Sequence, residues 1–247
     1  MSLNSRAMKY IPTSNKKGKQ VAMGFAVEAG EIEVISSAHI SDILCEGNRS
    51  FVGVITRTPH DVLPCGDYEA YSENDMVSVR LHESIKAANI GSYQALYLLN
   101  DGELEGVNEE LVNDYYDLLF TYKPDIVYTY SPLDRNKEHI ISLKALLLAL
   151  SKLEDYFPEH IYAVHFDGEG YIFDEEDIVH LDVDSRYDII NSMLSVYVSL
   201  SEAGNALYAA DTAFDLVNHM VNKRIDLKQF VSSMLEKVKA RALENLK

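Results

Sequence analysis

The sequence is poor in positive charge. Its 22 Lys and Arg stand against 39 Asp and Glu, a formal net charge of −17 over 247 residues. Binding nucleic acid by counterion release needs clustered Lys and Arg, and none occurs on that scale. The same deficit argues against attachment to an anionic membrane surface. Apolar runs of about eighteen residues, the length of a membrane span, are missing. The N-terminus carries NKKGK at 15–19 and lacks the apolar centre of a signal peptide. Cysteine is limited to Cys45 and Cys65, with no C-x-x-C. A reducing cytoplasm is the expected compartment, with no structural disulfide called for. Internal repeats and low-complexity tracts are absent.

What is present is the material of an α/β domain with a helical C-terminal region. EIEVISS (31–37) predicts a first strand, because Ile32, Val34 and Ile35 are apolar and β-branched. FVGVITR (51–57) predicts a second. TPHDVLPCGDYEAYSEN (58–74) shows no period and reads as a long loop. DMVSVRLHESIKAANIG (75–91) predicts a helix stopped by Gly91, and ALYLL (95–99) a strand. NEELVNDYYDLLFTYK (108–123) predicts a helix behind an Asn cap and an acidic first turn. DIVYTY (125–130) is a fourth strand, and the segment from Ser131 is a loop opening into another helix. HIYAVHF (160–166) and DIVHLDV (177–183) add two strands, and the pattern is helical from Ser185 onward.

This alternation implies a three-layer α/β/α fold with a mainly parallel, Rossmann-like sheet. The expected division is an N-terminal extension over 1–30, an α/β domain over 31–184 and C-terminal helices over 185–247 packed on the same domain. One joint is tight. Only Ala38–Ser50 connects the first two strands, where a parallel crossover needs a dozen or more residues.

In a doubly wound sheet, ligands bind beyond the carboxyl ends of the strands, where strand order reverses. The loops after the first and fourth strands flank that crevice. The first holds His39 and Asp42, and the fourth-strand loop runs YSPLDRNKEH to His139. Two histidines and one carboxylate form a catalytic zinc pattern with positions left for water and substrate. A lone histidine after a strand is more often structural, so the three residues count only as a set.

At these residues the chain resembles the PIG-L/LmbE-like deacetylases, zinc hydrolases that remove acetyl groups from N-acetylglucosamine conjugates and related amides. AHISDI (38–43) aligns with the family's Ala-His-Pro-Asp-Asp-Glu, and PDIVYTYSPLDRNKEH (124–139) with its strand and His-x-Asp-His. Between them Arg80, Glu83, Ala87, Gly91 and DGEL (101–104) match the intervening helix and strand end. The resemblance spans roughly residues 31–150. It implies Zn2+ or another divalent metal held by His39, Asp42 and His139. It also implies a small amino-sugar-type ligand contacted by Arg80 and Asp101. The family's proton-handling positions fall on Ser41 and Asn136. A serine hydroxyl is too weak a base for zinc-bound water, whereas Asn136 can donate to an oxyanion.

Two readings follow. The first is a metal-dependent N-deacetylase acting on an amino-sugar conjugate, with Asn136 assisting. The second is a catalytically impaired relative that binds a sugar or nucleotide-sugar without hydrolysing it. Removing a positioned acid or base costs roughly 10²–10⁴-fold in rate, so the loss at both Ser41 and Asn136 motivates the second. Simpler roles stand beside these. Arg80 can pair with Glu83 or Glu73, Asp101 can cap a turn, and Tyr128 and Tyr130 can complete the core. The acidic loop at 58–74, with His60, Asp61, Asp67 and Glu69, is expected to wall the substrate entrance and to favour neutral or cationic ligands. As alternatives it is a solvated surface loop or the contact of a homo-oligomer.

Overall fold

The computed structural model describes residues 3–58, 63–164, 175–204 and 207–244. Its strands are β1 (Met8–Tyr10), β2 (Gln20–Ala26), β3 (Arg49–Arg57), β4 (Ala95–Asp101), β5 (Ile126–Tyr130), β6 (His160–Val164), β7 (Ile178–His180) and β8 (Thr212–Asp215). Its helices are α1 (Glu31–Glu46), α2 (Glu73–Ile90), α3 (Glu109–Tyr122), α4 (Lys137–Leu150), α5 (Tyr187–Leu194), α6 (Val198–Glu202), α7 (Leu216–Lys223) and α8 (Leu227–Glu244). The strands form one sheet in the order β1-β4-β3-β2-β5-β6-β8-β7. Strands β2 to β6 are parallel, and β1, β7 and β8 join antiparallel at the edges. Helices α1, α2 and α5 lie together on one face, and α3 packs with α4 on the other. The three-layer, mainly parallel expectation is met.

The main correction concerns the first strand. EIEVISS is not a strand but the opening of α1, which runs sixteen residues from Gly30 to a left-handed Gly47. Ile32, Ile35, Ile40 and Ile43 are fully buried, and so are the polar Glu33, Ser36, Ser37 and Ser41. A helix covered on every side has no polar stripe, so its sequence shows no helical period. Its β-branched residues then imitate a strand. The first parallel strand is β2, with Ala22, Met23, Phe25 and Ala26 at 0 % exposure. It lies within the segment assigned to an N-terminal extension. The tight joint disappears with it, because the β2-to-β3 crossover is the whole of α1. A second correction is β8, where TAFD interrupts the region read as helical and pairs with both β6 and β7.

Two buried carboxylates fasten the C-terminal region to this frame. Glu33 of α1 accepts hydrogen bonds from Tyr93 at 2.6 Å and Tyr197 at 2.8 Å. Glu83 of α2 accepts from the backbone N–H and the hydroxyl of Ser199, at 2.9 and 2.6 Å. Such groups are costly to bury unpaired and stabilising only when satisfied. The strap they anchor packs on Gly30. That residue has φ 92°, and a Cβ there would stand 2.8 Å from Leu207 Cδ1 and 3.1 Å from Leu200 Cδ1. The left-handed backbone favours glycine, and any larger residue would also push the two leucine ends aside.

If β2 is central, residues 1–26 are indispensable. Phe25→Ala is expected to cost about 3–5 kcal/mol in urea unfolding. A chain beginning at Val27 is expected to show no cooperative transition, whereas a dispensable extension would leave one.

Candidate functional site

Strand order reverses between β2 and β5, so the crevice lies where the chain leaves Ala26 and Tyr130. The loop after β2 reads Val27-Glu28-Ala29-Gly30, with Glu31 as the first residue of α1. The loop after β5 runs from Ser131 to Asn136, which caps α4 by accepting from the Glu138 N–H at 2.8 Å. Arg57 ends β3 alongside. Behind them a buried hydroxyl chain ties the sheet to α3 and α4. Thr56 donates to the Ala26 carbonyl at 2.9 Å and meets Tyr115 at 2.6 Å, which meets Ser142 at 2.8 Å.

The crevice residues pair mainly with one another. His139 Nε2 lies 2.9 Å from Glu31 Oε1, and its Nδ1 lies 3.1 Å from Asp134 Oδ2. The ring stacks on Tyr130 with centroids 3.8 Å apart and planes 3° from parallel. Glu31 Oε2 accepts from the Tyr130 hydroxyl at 2.6 Å and from the Glu28 N–H at 2.7 Å. Arg57 Nη1 donates to Glu28 Oε1 and to Glu138 Oε2, each at 3.0 Å. Glu138 Oε1 in turn accepts the Leu104 N–H at 2.7 Å. Burial works against a charged imidazole at His139, but Asp134 and Glu31 outweigh it and raise its pKa to about 9. Burial, with the charge of Glu31, also pushes the Glu28 carboxyl up.

The expected metal set is not brought together. His39 is on the third turn of α1, eight residues beyond Glu31, which is about 12 Å along the helix axis. It is buried beside Tyr128, with ring centroids 5.7 Å apart. Burial, helped by the charge of Arg49, lowers its pKa to about 4, so it is a neutral core ring. Asp42 pairs with Arg49 at 3.1 Å and with Arg186 at 3.7 Å. Ser41 donates to the Ala38 carbonyl at 2.6 Å within the helix, away from the crevice. Asn136 and His139 do stand at the crevice, Asn136 as a helix cap. Among the described residues no group of three or more His, Cys, Asp or Glu side chains is arranged to hold a metal ion.

The donor chemistry agrees. Zinc takes an imidazole through an unprotonated nitrogen. Carboxylates face both nitrogens of His139 and favour its protonated form. The loop after β2 supplies neither histidine nor aspartate. These residues do not fit a catalytic zinc.

Arg80 is 4 % exposed on α2, and its Nε is buried without a hydrogen-bond partner. Burial lowers its pKa against the pull of Glu83 and Glu28. Asp101, at the end of β4, is held by Arg6 at 2.9 Å. Of the acidic loop, His60 and Asp61 lie outside the described residues. The sequence reading placed Tyr130 near the crevice but missed Glu28, Glu31 and Arg57. The available signal was the run QVAMGFAV closed by Gly30, which marks a buried strand turning into a helix.

No protein-family model and no curated protein sequence matches this chain. Solved structures do. The conserved protein TT1542 from Thermus thermophilus is 13% identical, with 79% of this chain and 94% of that one covered at a TM-score of 0.60. GalB, the 4-carboxy-2-hydroxymuconate hydratase from Pseudomonas putida, is 13% identical over 80% and 96%, at 0.58. The N,N'-diacetylchitobiose deacetylase from Pyrococcus horikoshii is 12% identical over 82% and 85%, at 0.57. The chain therefore has the fold of the PIG-L/LmbE-like deacetylases, and the resemblance read from its sequence holds at that level.

The clamp on His139 makes stability pH-dependent. Its folded pKa lies above the roughly 6.5 of a free imidazole, so the ionic contribution is complete below that pH and is lost as pH rises through about 9. Urea unfolding at pH 6 and pH 10 is expected to differ more in the wild type than in His139→Gln, by up to about 3 kcal/mol. Parallel pH profiles for the two proteins would mean that the folded ring is neutral.

Proposed function

We propose that this protein binds an amino-sugar-type small molecule in the crevice between the β2 and β5 loops and does not hydrolyse it through a bound metal. The observation that carries this reading is the clamp on His139. The ring that would ligate a metal is held between Glu31 and Asp134. The sugar class is supported by the shared fold with a deacetylase of N,N'-diacetylchitobiose. Arg80 is the contact on the ligand side. A buried guanidinium whose Nε has no protein partner gains most from a ligand oxygen. Asp101, tied to Arg6, borders the same end of the sheet. With 39 acidic residues against 22 basic ones, a neutral ligand fits better than one rich in phosphate. The protein's expected setting is the cytoplasm, in keeping with two free cysteines.

A metal-dependent N-deacetylase is the second reading, and the shared fold with the deacetylase favours it. It requires His139 to release a proton and to free Nε2 from Glu31, while Asp134 at Nδ1 could stay as the carboxylate behind a ligating ring. The two readings differ in one measurable product.

Calorimetry against N-acetylglucosamine, N,N'-diacetylchitobiose and a nucleotide-linked N-acetylglucosamine is expected to find a binder. Acetate assays with the same compounds, with and without Zn2+, are expected to find no release. Arg80→Met is expected to weaken the binder at least about tenfold, near 1.4 kcal/mol, with the melting temperature unchanged or higher, because an incompletely paired buried charge is removed. Metal-stimulated acetate release would establish the deacetylase instead.

A further inference from the structure

The walls of the crevice are acidic, yet they do not lack a cation. Glu28 comes from the β2 loop and Glu138 from the first turn of α4, on opposite sides of the switch point. One nitrogen of Arg57 lies 3.0 Å from an oxygen of each. The Arg57 side chain is 8 % exposed and that of Glu138 15 %, so their contact is shielded from water, while Glu28, at 39 %, forms the open side. Glu138 is also oriented from its other oxygen by the Leu104 N–H.

We infer that Arg57 is the resident cation of this crevice, occupying the point on which the two carboxylates converge, so that the site takes no divalent metal as long as Arg57 is in place. The inference rests on the reading of a crevice that works without a metal, and it adds the group responsible. A hard divalent ion sits about 2.0–2.6 Å from its oxygen ligands. The two oxygens now 3.0 Å from Nη1 would need to close by about 0.4–1.0 Å to come within that range. A guanidinium and a divalent ion therefore compete for the same space and the same lone pairs. The guanidinium is covalently attached and cannot be deprotonated at any physiological pH. Its charge also offsets the mutual repulsion of Glu28, Glu31 and Glu138, which removal of Arg57 would leave for another cation to relieve.

The probe is Mn2+, an ion suited to oxygen ligands, followed by its paramagnetic resonance signal and by thermal unfolding. Wild type and Arg57→Lys are expected to leave Mn2+ free and to melt at the same temperature with Mn2+ or with chelator. Arg57→Met is expected to bind Mn2+ at least about 100-fold more tightly than wild type, within the range of weak oxygen-ligand sites, and to melt higher with the ion. Adding Glu138→Gln to Arg57→Met should abolish that gain. Stoichiometric uptake by the wild type would overturn both the inference and the metal-free reading beneath it. A folded Arg57→Met that ignores Mn2+ would overturn the inference alone. If Arg57→Met does not fold, Arg57→Gln serves in its place, and the wild-type titration still decides whether the site is closed to metal.

Discussion

The carboxylate of Glu31 is the tie on which the functional end of the sheet depends. It is the first residue of α1, where the helix dipole favours a negative charge. One oxygen engages His139 at the start of α4. The other receives the Tyr130 hydroxyl from the end of β5 and the Glu28 N–H from the β2 loop. The ends of two neighbouring strands are thereby tied by this side chain, beside the Val27 N–H that donates to the Tyr130 hydroxyl at 2.6 Å. The aromatic stack of Tyr130 on His139 fixes the angle at which they meet.

That arrangement separates this crevice from the chemistry its fold suggests. Similar folds carry a chitobiose deacetylase and a hydratase at 12% and 13% identity. A scaffold conserved this loosely in sequence transmits a position for a site, not its contents. In this chain the position brings Arg57 and His139 among Glu28, Glu31, Asp134 and Glu138. Glu28 and Glu138 share Arg57, and Glu31 and Asp134 face His139.

Much of the architecture was legible from sequence. The amphipathic α3 behind Asn108, the strand before the β5 loop, and the helix from Asn136 all stand where periodicity and capping put them. Apart from the missed β8, the failure was local and had one cause. A helix buried on all sides and rich in isoleucine has lost the polar face by which helices are recognised. Reading α1 as a strand put His39, Ser41 and Asp42 in a strand-end loop, whereas they lie within the helix. His139 was found because its strand, loop and helix were assigned correctly. Yet the partners that decide its chemistry, Glu31 and Asp134, are a matter of side-chain geometry. Spacing alone could not supply them.

The long reach of the strap bears on how the chain comes into being. Tyr197 and Ser199 meet Glu33 and Glu83 across 164 and 116 positions. During synthesis α1 and α2 are therefore complete long before the residues that will cover them emerge. A surface of bare isoleucine and alanine, waiting that long, would invite association with other nascent chains. Here the waiting surface carries two carboxylates, hydrated and repelling until Tyr197 and Ser199 arrive to take over from water. The same groups that later hold the strap thus serve first as gatekeepers of an unfinished interior.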